Sequence, residues 1–486
     1  MTSSARPASL RAETAFAAAA LVAYALVTAV TAWHHEPWRD EADAWLIARD
    51  ASVPELFRLT ESGSPALWYL LLMPLAKLGL PYGSMHVLHL AIAWAAAAVL
   101  LFRAPFSRAL RLLIAFSYFV LCEYAVVARS YALTMLLLFV LAALWGRRFE
   151  RPFVFAAAVA LLANANAPGL FLAAAVGAVY AWDLRRLPEG ESRRGPFVAA
   201  GLMLAGGLAA AAQLMPHGGQ MPGWSTVRHP QAPIMVLALL FVAPSPLAAR
   251  IGDLRWLALA AVAALLAGWI PRPRLIFQVL VPTAALLYVF AFKWASGPRH
   301  AGLIFLLLVF ALWVERLEPA PAPAWARAAG RLGRALFALG LAASVWAAAE
   351  FVRLEIRHPY SHAARMAEHL RAGGLAARPL ATTVLCEAVV PYLPRRPVYY
   401  ADAGRWGTHR VSSAVDDVAA LRPAAESAAR ARRALPAAGG WLLLLHEPLR
   451  EPMSLGFRPL HATRGPTGPS GERFFLYQAL PALEIQ

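Results

Sequence analysis

Apolar runs of about 15 to 20 residues recur through roughly the first 350 residues, and this recurrence constrains the fold more than any other feature of the chain. Backbone polar groups in lipid need internal partners, so each run reads as a helix. The chain is 60% hydrophobic and 15% charged over 486 residues, well below the near-quarter charged usage of soluble domains. The expected fold is a mainly α polytopic membrane protein with about 11 spans, within a range of 10 to 13. They are placed at 12–32, 85–102, 112–128, 130–145, 152–164, 168–182, 196–214, 253–270, 275–292, 300–315 and 334–351. The first run is too long for a signal peptide and lacks a clear cleavage site, so it is expected to stay as a span.

Charge orients these spans. The loops 103–111 and 146–151 are rich in arginine, which assigns them to the cytoplasmic side and the segment 33–84 to the external side. Within that external segment, 65–76 is short for a span; it reads as an interfacial helix, with a genuine span as the alternative. A second interfacial helix is expected at 233–243. The net charge of +17 follows this topogenic pattern, so the expected partner is anionic lipid and not nucleic acid. Cys122 and Cys386 form no recognisable disulfide framework or metal-ligand cluster. Beyond residue 351 the composition changes, and TTVLCEAVVPYL, WLLLLHEPL and ERFFLYQAL alternate with Ala/Arg-rich helical stretches. Thus 1–351 reads as the membrane domain and 352–486 as a small external α/β domain. The heavy Ala, Arg and Pro usage suggests a bacterial source, hence the cytoplasmic (inner) membrane with a periplasmic active side. Walker, Rossmann and HExxH patterns are lacking.

The candidate chemistry begins in HHEPWRDEADAWLIARD, from His34 to Asp50. Pro37 suits a first helical turn, Asp40 and Asp43 then share one face, and Glu41 lies near Trp45 on the next. Taken alone, such a stretch reads first as an interfacial helix, its acids favouring the helix dipole, and second as a catalytic site. On the same expected side lie Glu61 with Gly63-Ser64-Pro65, Glu123 with Arg129 and Tyr131, and Arg299 with His300. A carboxylate there can take a proton from an acceptor hydroxyl while arginine holds a phosphate. Glu123, beside an apolar run, needs a cation or water, which Arg129 can supply. Arg129 also reads as a snorkelling helix end, and His300 as a cap.

In order along the chain, Asp40-Glu41, Gly63-Ser64-Pro65-Ala66-Leu67-Trp68-Tyr69 and Ala128-Arg129-Ser130-Tyr131-Ala132 resemble the motifs of the GT-C superfamily of polyprenol-phosphate-sugar-dependent glycosyltransferases. The chain resembles especially the bacterial branch similar to rhizobial lipopolysaccharide-core transferases and, more distantly, protein O-mannosyltransferases. The resemblance implies a GT-C-like membrane core over about 12–315. It also implies inverting transfer from a polyprenyl-phosphate sugar to a glycan, lipid or protein acceptor, with Asp40 as the general base and Glu41 as its neighbour in orientation or metal contact. By these matches Arg129 and Tyr131 would hold the donor phosphate; Arg299, on the same expected side, is a third candidate for it, and Asp43, Glu61, Ser64, Glu123 and His300 are secondary candidates. Ser64 stands where the family commonly has histidine, which disfavours zinc and leaves a loosely held magnesium or manganese. It also leaves open a non-catalytic protein that binds lipid-linked glycan. A lipid or polysaccharide transporter is a further alternative.

Overall fold

The computed structural model describes residues 5–58, 64–187, 192–215, 231–241, 254–292, 297–409, 423–468 and 470–481. Its helices in the first half are α1 (Ala5–His34), α2 (Arg39–Asp50), α3 (Val53–Leu56), α4 (Leu67–Lys77), α5 (Ser84–Arg103), α6 (Arg108–Ala115), α7 (Tyr131–Leu144), α8 (Pro152–Ala163) and α9 (Ala167–Leu184). There follow α10 (Arg194–Leu214), α11 (Ala232–Ala238), α12 (Arg255–Trp269), α13 (Pro273–Phe292), α14 (Pro298–Leu317), α15 (Ala324–Arg357), α16 (Ala363–Ala372) and α17 (Ala424–Ala434).

Seven helices among the described residues, α1, α5, α9, α10, α13, α14 and α15, are long and apolar enough to cross a membrane. Helices α4, α7, α8 and α12 are apolar but shorter. The most enclosed is α14, whose residues from Leu303 to Val314 are all buried, the signature of a helix at the centre of a bundle. Where α12 crosses α15, a Cβ on Gly268 would lie 2.6 Å from the Gly330 Cα, so two facing glycines permit backbone-to-backbone approach.

The expected span at 112–128 is not a single helix. Helix α6 stops at Ala115, a π-turn covers Phe119–Glu123, and irregular backbone leads to α7. Neighbouring helices satisfy the groups this break exposes. Tyr24 on α1 donates to the Val120 carbonyl at 2.7 Å, and the Tyr118 N–H donates to Ser344 on α15 at 3.1 Å. The expected interfacial helix at 65–76 appears as α4, and both its ends lie on one side of the bundle. The Ala66 N–H donates to Gln213 at the end of α10, and Lys77 Nζ donates to the Ala51 carbonyl at the end of α2. Of the expected helix at 233–243, α11 covers the part up to Ala238, and residues 242–243 lie outside the described residues.

Opposite ends of the bundle differ in chemistry. At one, Glu13 pairs with Arg108 and Arg111, Asp183 with Arg148 and Arg274, and Glu315 with Arg272 and Arg334. At the other, α2 lies beneath a mixed sheet of six strands among the described residues, β1 (Leu380–Thr382), β2 (Val398–Tyr400), β3 (Arg405–Gly407), β4 (Leu442–Leu445), β5 (Phe457–Ala462) and β6 (Phe475–Ala479), in the order β3-β2-β1-β4-β6-β5. The central β2, β1 and β4 are parallel and the remaining pairs antiparallel. The apolar run Leu442–Leu445 is buried on both faces. Leu442 and Leu444 pack with Met366 and Leu370 of α16, and Leu443 and Leu445 with Ala428 and Ala431 of α17.

Candidate functional site

Helix α2 starts at Arg39 with Trp38 as its N-cap, so Pro37 lies just outside the first turn where the sequence had suggested it. The Trp38 N–H donates to Glu41 Oε2 at 3.1 Å, the reach-back from the third helical position that fixes a helix start. This contact turns Glu41 inward and leaves Asp40 facing the open side.

Asp40 Oδ2 lies 2.5 Å from Arg129 Nη1 and 2.6 Å from Arg299 Nη1, with Arg39 Nε 3.5 Å from Oδ1. Burial alone would raise this carboxyl, but Arg129, Arg299 and Arg39 outweigh it and hold the group well below the usual carboxylate range. The Asp40 side chain remains 25% exposed. Arg299 is fixed from two further directions. Its guanidinium carbon lies over the Trp38 ring, 4.8 Å from the centroid, and its carbonyl accepts the Tyr124 hydroxyl at 2.5 Å.

The remaining candidates divide by contact. Tyr131 pairs with His300 Nε2 at 3.2 Å and stacks on Tyr124, beside the arginine pair. His300 Nδ1 accepts the Gly297 N–H at 2.8 Å, which supports its reading as a cap. Glu123 accepts the Tyr118 hydroxyl at 2.9 Å, whereas Arg129, its expected partner, is engaged by Asp40. Asp43 sits close enough to Tyr400 of the sheet to help burial and Glu387 raise that phenol. Ser64 is half-buried just before α4, and Glu61 lies outside the described residues.

Glu41 is fully buried and belongs to a second constellation directly behind the first. Its Oε2 lies 3.0 Å from His35 Nε2, and its Oε1 lies 3.1 Å from His86 Nε2 and 2.6 Å from the Ala128 N–H. His35 Nδ1 contacts Glu355 Oε2 at 3.1 Å. Burial pushes the His35 imidazole down, but Glu41 and Glu355 more than reverse this and carry it up to about 10. Glu41 responds in the opposite sense: burial raises it, and His35 and His86 bring it well below the usual range. His35, Glu41 and His86 bring their ligand atoms within 4.8 Å of one another, close enough for a divalent cation. The expectation against zinc follows from position 64 and does not take in these imidazoles. The available signal was HHEP at the end of the first run and His86 and His89 within an apolar run, where ionisable residues call for partners.

The sheet domain closes over this end. The Arg39 N–H donates to Glu472 Oε1 at 3.1 Å, Glu36 accepts the Ala364 N–H, and Arg395 Nε pairs with Asp50 at 2.8 Å. Fold and site together define a polytopic, mainly α-helical membrane protein with a small mixed-sheet domain over an acid–arginine centre. No protein-family model matches the chain, and no curated protein matches it.

Proposed function

We propose that this protein transfers a sugar from a polyprenyl-phosphate donor to an envelope glycan, lipid or protein acceptor on the external face of a bacterial inner membrane, with inversion at the anomeric carbon. The observation that carries this reading is Asp40 bridged by Arg129 and Arg299 at the end of the bundle opposite the arginine-rich loops. An arrangement of this kind suits a lipid-linked substrate, whose phosphate meets the protein at the membrane surface while its chain stays in lipid. The order of the three motifs resembling the GT-C superfamily gives independent support.

The pair of arginines explains how one carboxylate serves both resting and reacting states. A donor phosphate competes with Asp40 for the two guanidiniums, which bind phosphate oxygens as readily as carboxylate. Released from them, Asp40 becomes more basic and takes the acceptor hydroxyl's proton. The acceptor oxygen then bonds to the anomeric carbon as the bond from that carbon to the phosphate oxygen breaks. The electron pair leaves with the polyprenyl phosphate, whose charge Arg129 and Arg299 stabilise.

The test is release of polyprenyl phosphate with a glycosylated acceptor, followed by mass detection on purified protein in lipid. Asp40→Asn keeps the side chain's size but removes the base, and turnover should fall ~10²–10⁴-fold. Asp43→Asn, one turn away, should change it little. An Asp40→Asn enzyme as fast as wild type removes the base assignment. A second reading, a binder of lipid-linked glycan without transfer, is favoured by the strong suppression of Asp40 basicity in the arginine pair. It replaces the first if wild type binds donor yet glycosylates no acceptor.

A further inference from the structure

Behind Asp40, two buried carboxylates face two imidazoles. Glu41 and Glu355 are 0% and 1% exposed. Each Glu41 oxygen accepts one backbone N–H, from Trp38 at Oε2 and from Ala128 at Oε1, and each also faces an imidazole Nε2. His35 has carboxylate oxygens at both ring nitrogens, at 3.0 and 3.1 Å. A neutral imidazole carries a single N–H, so one of these contacts would set a nitrogen lone pair against a carboxylate oxygen. A cation has to fill that gap, and the candidates are a proton and a metal ion.

We propose that the protein holds a divalent transition-metal ion of the zinc class between His35 Nε2, His86 Nε2 and the Glu41 carboxylate, with Glu355 accepting the His35 Nδ1–H. Imidazole and carboxylate are the donors such ions favour. A ligating histidine commonly passes its other N–H to a carboxylate, which fixes the tautomer and strengthens the ligand, and Glu355 occupies that position. The charge also balances, since two buried carboxylates are neutralised by one doubly charged ion. The second Glu355 oxygen, Oε1, is buried without a hydrogen-bond partner among the described residues and is available to the ion's outer sphere.

The site would act as a cross-tie. Its ligands come from the turn after α1, from α2 and from α5, with Glu355 supplied by the end of α15. Glu41 also holds the Ala128 N–H, next to Arg129 in the chain, so the tie fixes the helix bearing Asp40 and the turn bearing its arginine partner. Glu41 and His35 are positioning residues in this scheme and touch no reacting atom. The metal assignment stands apart from the transfer reading, because the site is read from its own contacts.

The experiment reads metal and not turnover. Full-length protein in detergent is loaded with Zn²⁺ or Co²⁺ and desalted. Metal per chain is then measured by mass spectrometry, and bound Co²⁺ by its visible ligand-field absorption. Wild type and Asp40→Asn should each retain about one equivalent, as one His/His/Glu site predicts. His86→Gln and His35→Gln should fall to background, with folding checked by thermal melting. His86→Gln is the decisive variant because Glu41 also caps α2, so changes at that end risk misfolding. The proposal is overturned if wild type retains no metal, in which case protons fill the gap. Retention in both histidine variants overturns it too, as does loss in Asp40→Asn.

Discussion

Arg129 and Arg299 meet on one carboxylate oxygen although they are far apart in the chain, and Arg299 lies 259 positions after Asp40. Both Arg299 and Arg39 lie over the Trp38 ring, at 4.8 and 5.6 Å, but Arg299 is held 2.6 Å from Asp40 whereas Arg39 stays at 3.5 Å. Lysine keeps the charge but lacks the planar fork and the stacking face. We therefore expect Arg299→Lys to weaken donor binding by about 10-fold or more, near the cost of one charge-assisted contact. Arg39→Ala should change it by less than about 3-fold, as for an exposed pair. Donor titration by intrinsic tryptophan fluorescence compares the two, and equal losses would show that charge alone matters. At this scale the sequence was informative about residue type and poor about partners. Asp40, Arg129 and Arg299 were nominated by motif and side, and helical spacing put Glu41 on the face next to that of Asp40, yet spacing alone did not identify His35 and His86 as its partners. That separation arises because adjacent helical positions point about 100° apart, and because His86 becomes a neighbour only once α5 packs against α1.

Among the elements, α14 depends on a missing side chain. A Cβ at Gly302 would collide with the Tyr124 hydroxyl and the Phe119 ring, and that hydroxyl holds the Arg299 carbonyl. Gly302→Ala should therefore cost about 1–3 kcal/mol of stability, typical of overpacking, and should also weaken donor binding by displacing Arg299. Gly177 on α9 has open space around its Cβ position, so Gly177→Ala is the control and should be neutral or slightly stabilising. Thermal melts and donor titration on both variants decide, and a Gly302→Ala protein that matches wild type in both would remove the close-packing argument. The long apolar helices were legible because lipid imposes length and hydrophobicity on them. The break between α6 and α7 was not. The run through 112–128 has the composition of a span, and only Tyr24 and Ser344, supplied by other helices, make the π-turn affordable. Strand β4 was legible for a related reason: a run of four leucines buried on both faces is what a central strand of a covered sheet requires.

For the molecule as a whole, the seam between the sheet domain and α2 carries a titratable contact. Glu472 accepts the Arg39 N–H and the Ser361 hydroxyl, at 3.1 and 2.8 Å. Burial pushes its carboxyl up to about 7, against the opposing pull of those two hydrogen bonds and of the Arg39 charge. A raised carboxyl binds its proton more tightly in the folded seam than when exposed. Its contribution is therefore complete below the ordinary value of 4.5 and is lost as pH rises through about 7. Closure of the domain should weaken between pH 5 and 8 by at most about 3 kcal/mol. Glu472→Gln, which keeps an acceptor oxygen, should flatten that slope. Hydrogen exchange in the segment around Ser361 at several pH values measures it, and an unchanged slope in the variant would place the titration elsewhere.

Helix α15 carries this reasoning to the bilayer. Its 34 residues make a rod of about 51 Å, yet between Arg334 and Glu350 only sixteen residue steps, about 24 Å, are free of charge. That is shorter than a hydrocarbon layer of about 30 Å, so the helix is mismatched to thick membranes. Arg334 is anchored to Glu315 at one end and Glu355 to His35 at the other, which leaves the rod little freedom to slide. Turnover should then fall from short-chain to long-chain phosphatidylcholine vesicles, and a flat response would mean that lipid deforms to suit the helix. If the dependence holds, the same rod that braces the chemistry is a gauge of membrane thickness, tuning the protein to the compartment in which it resides.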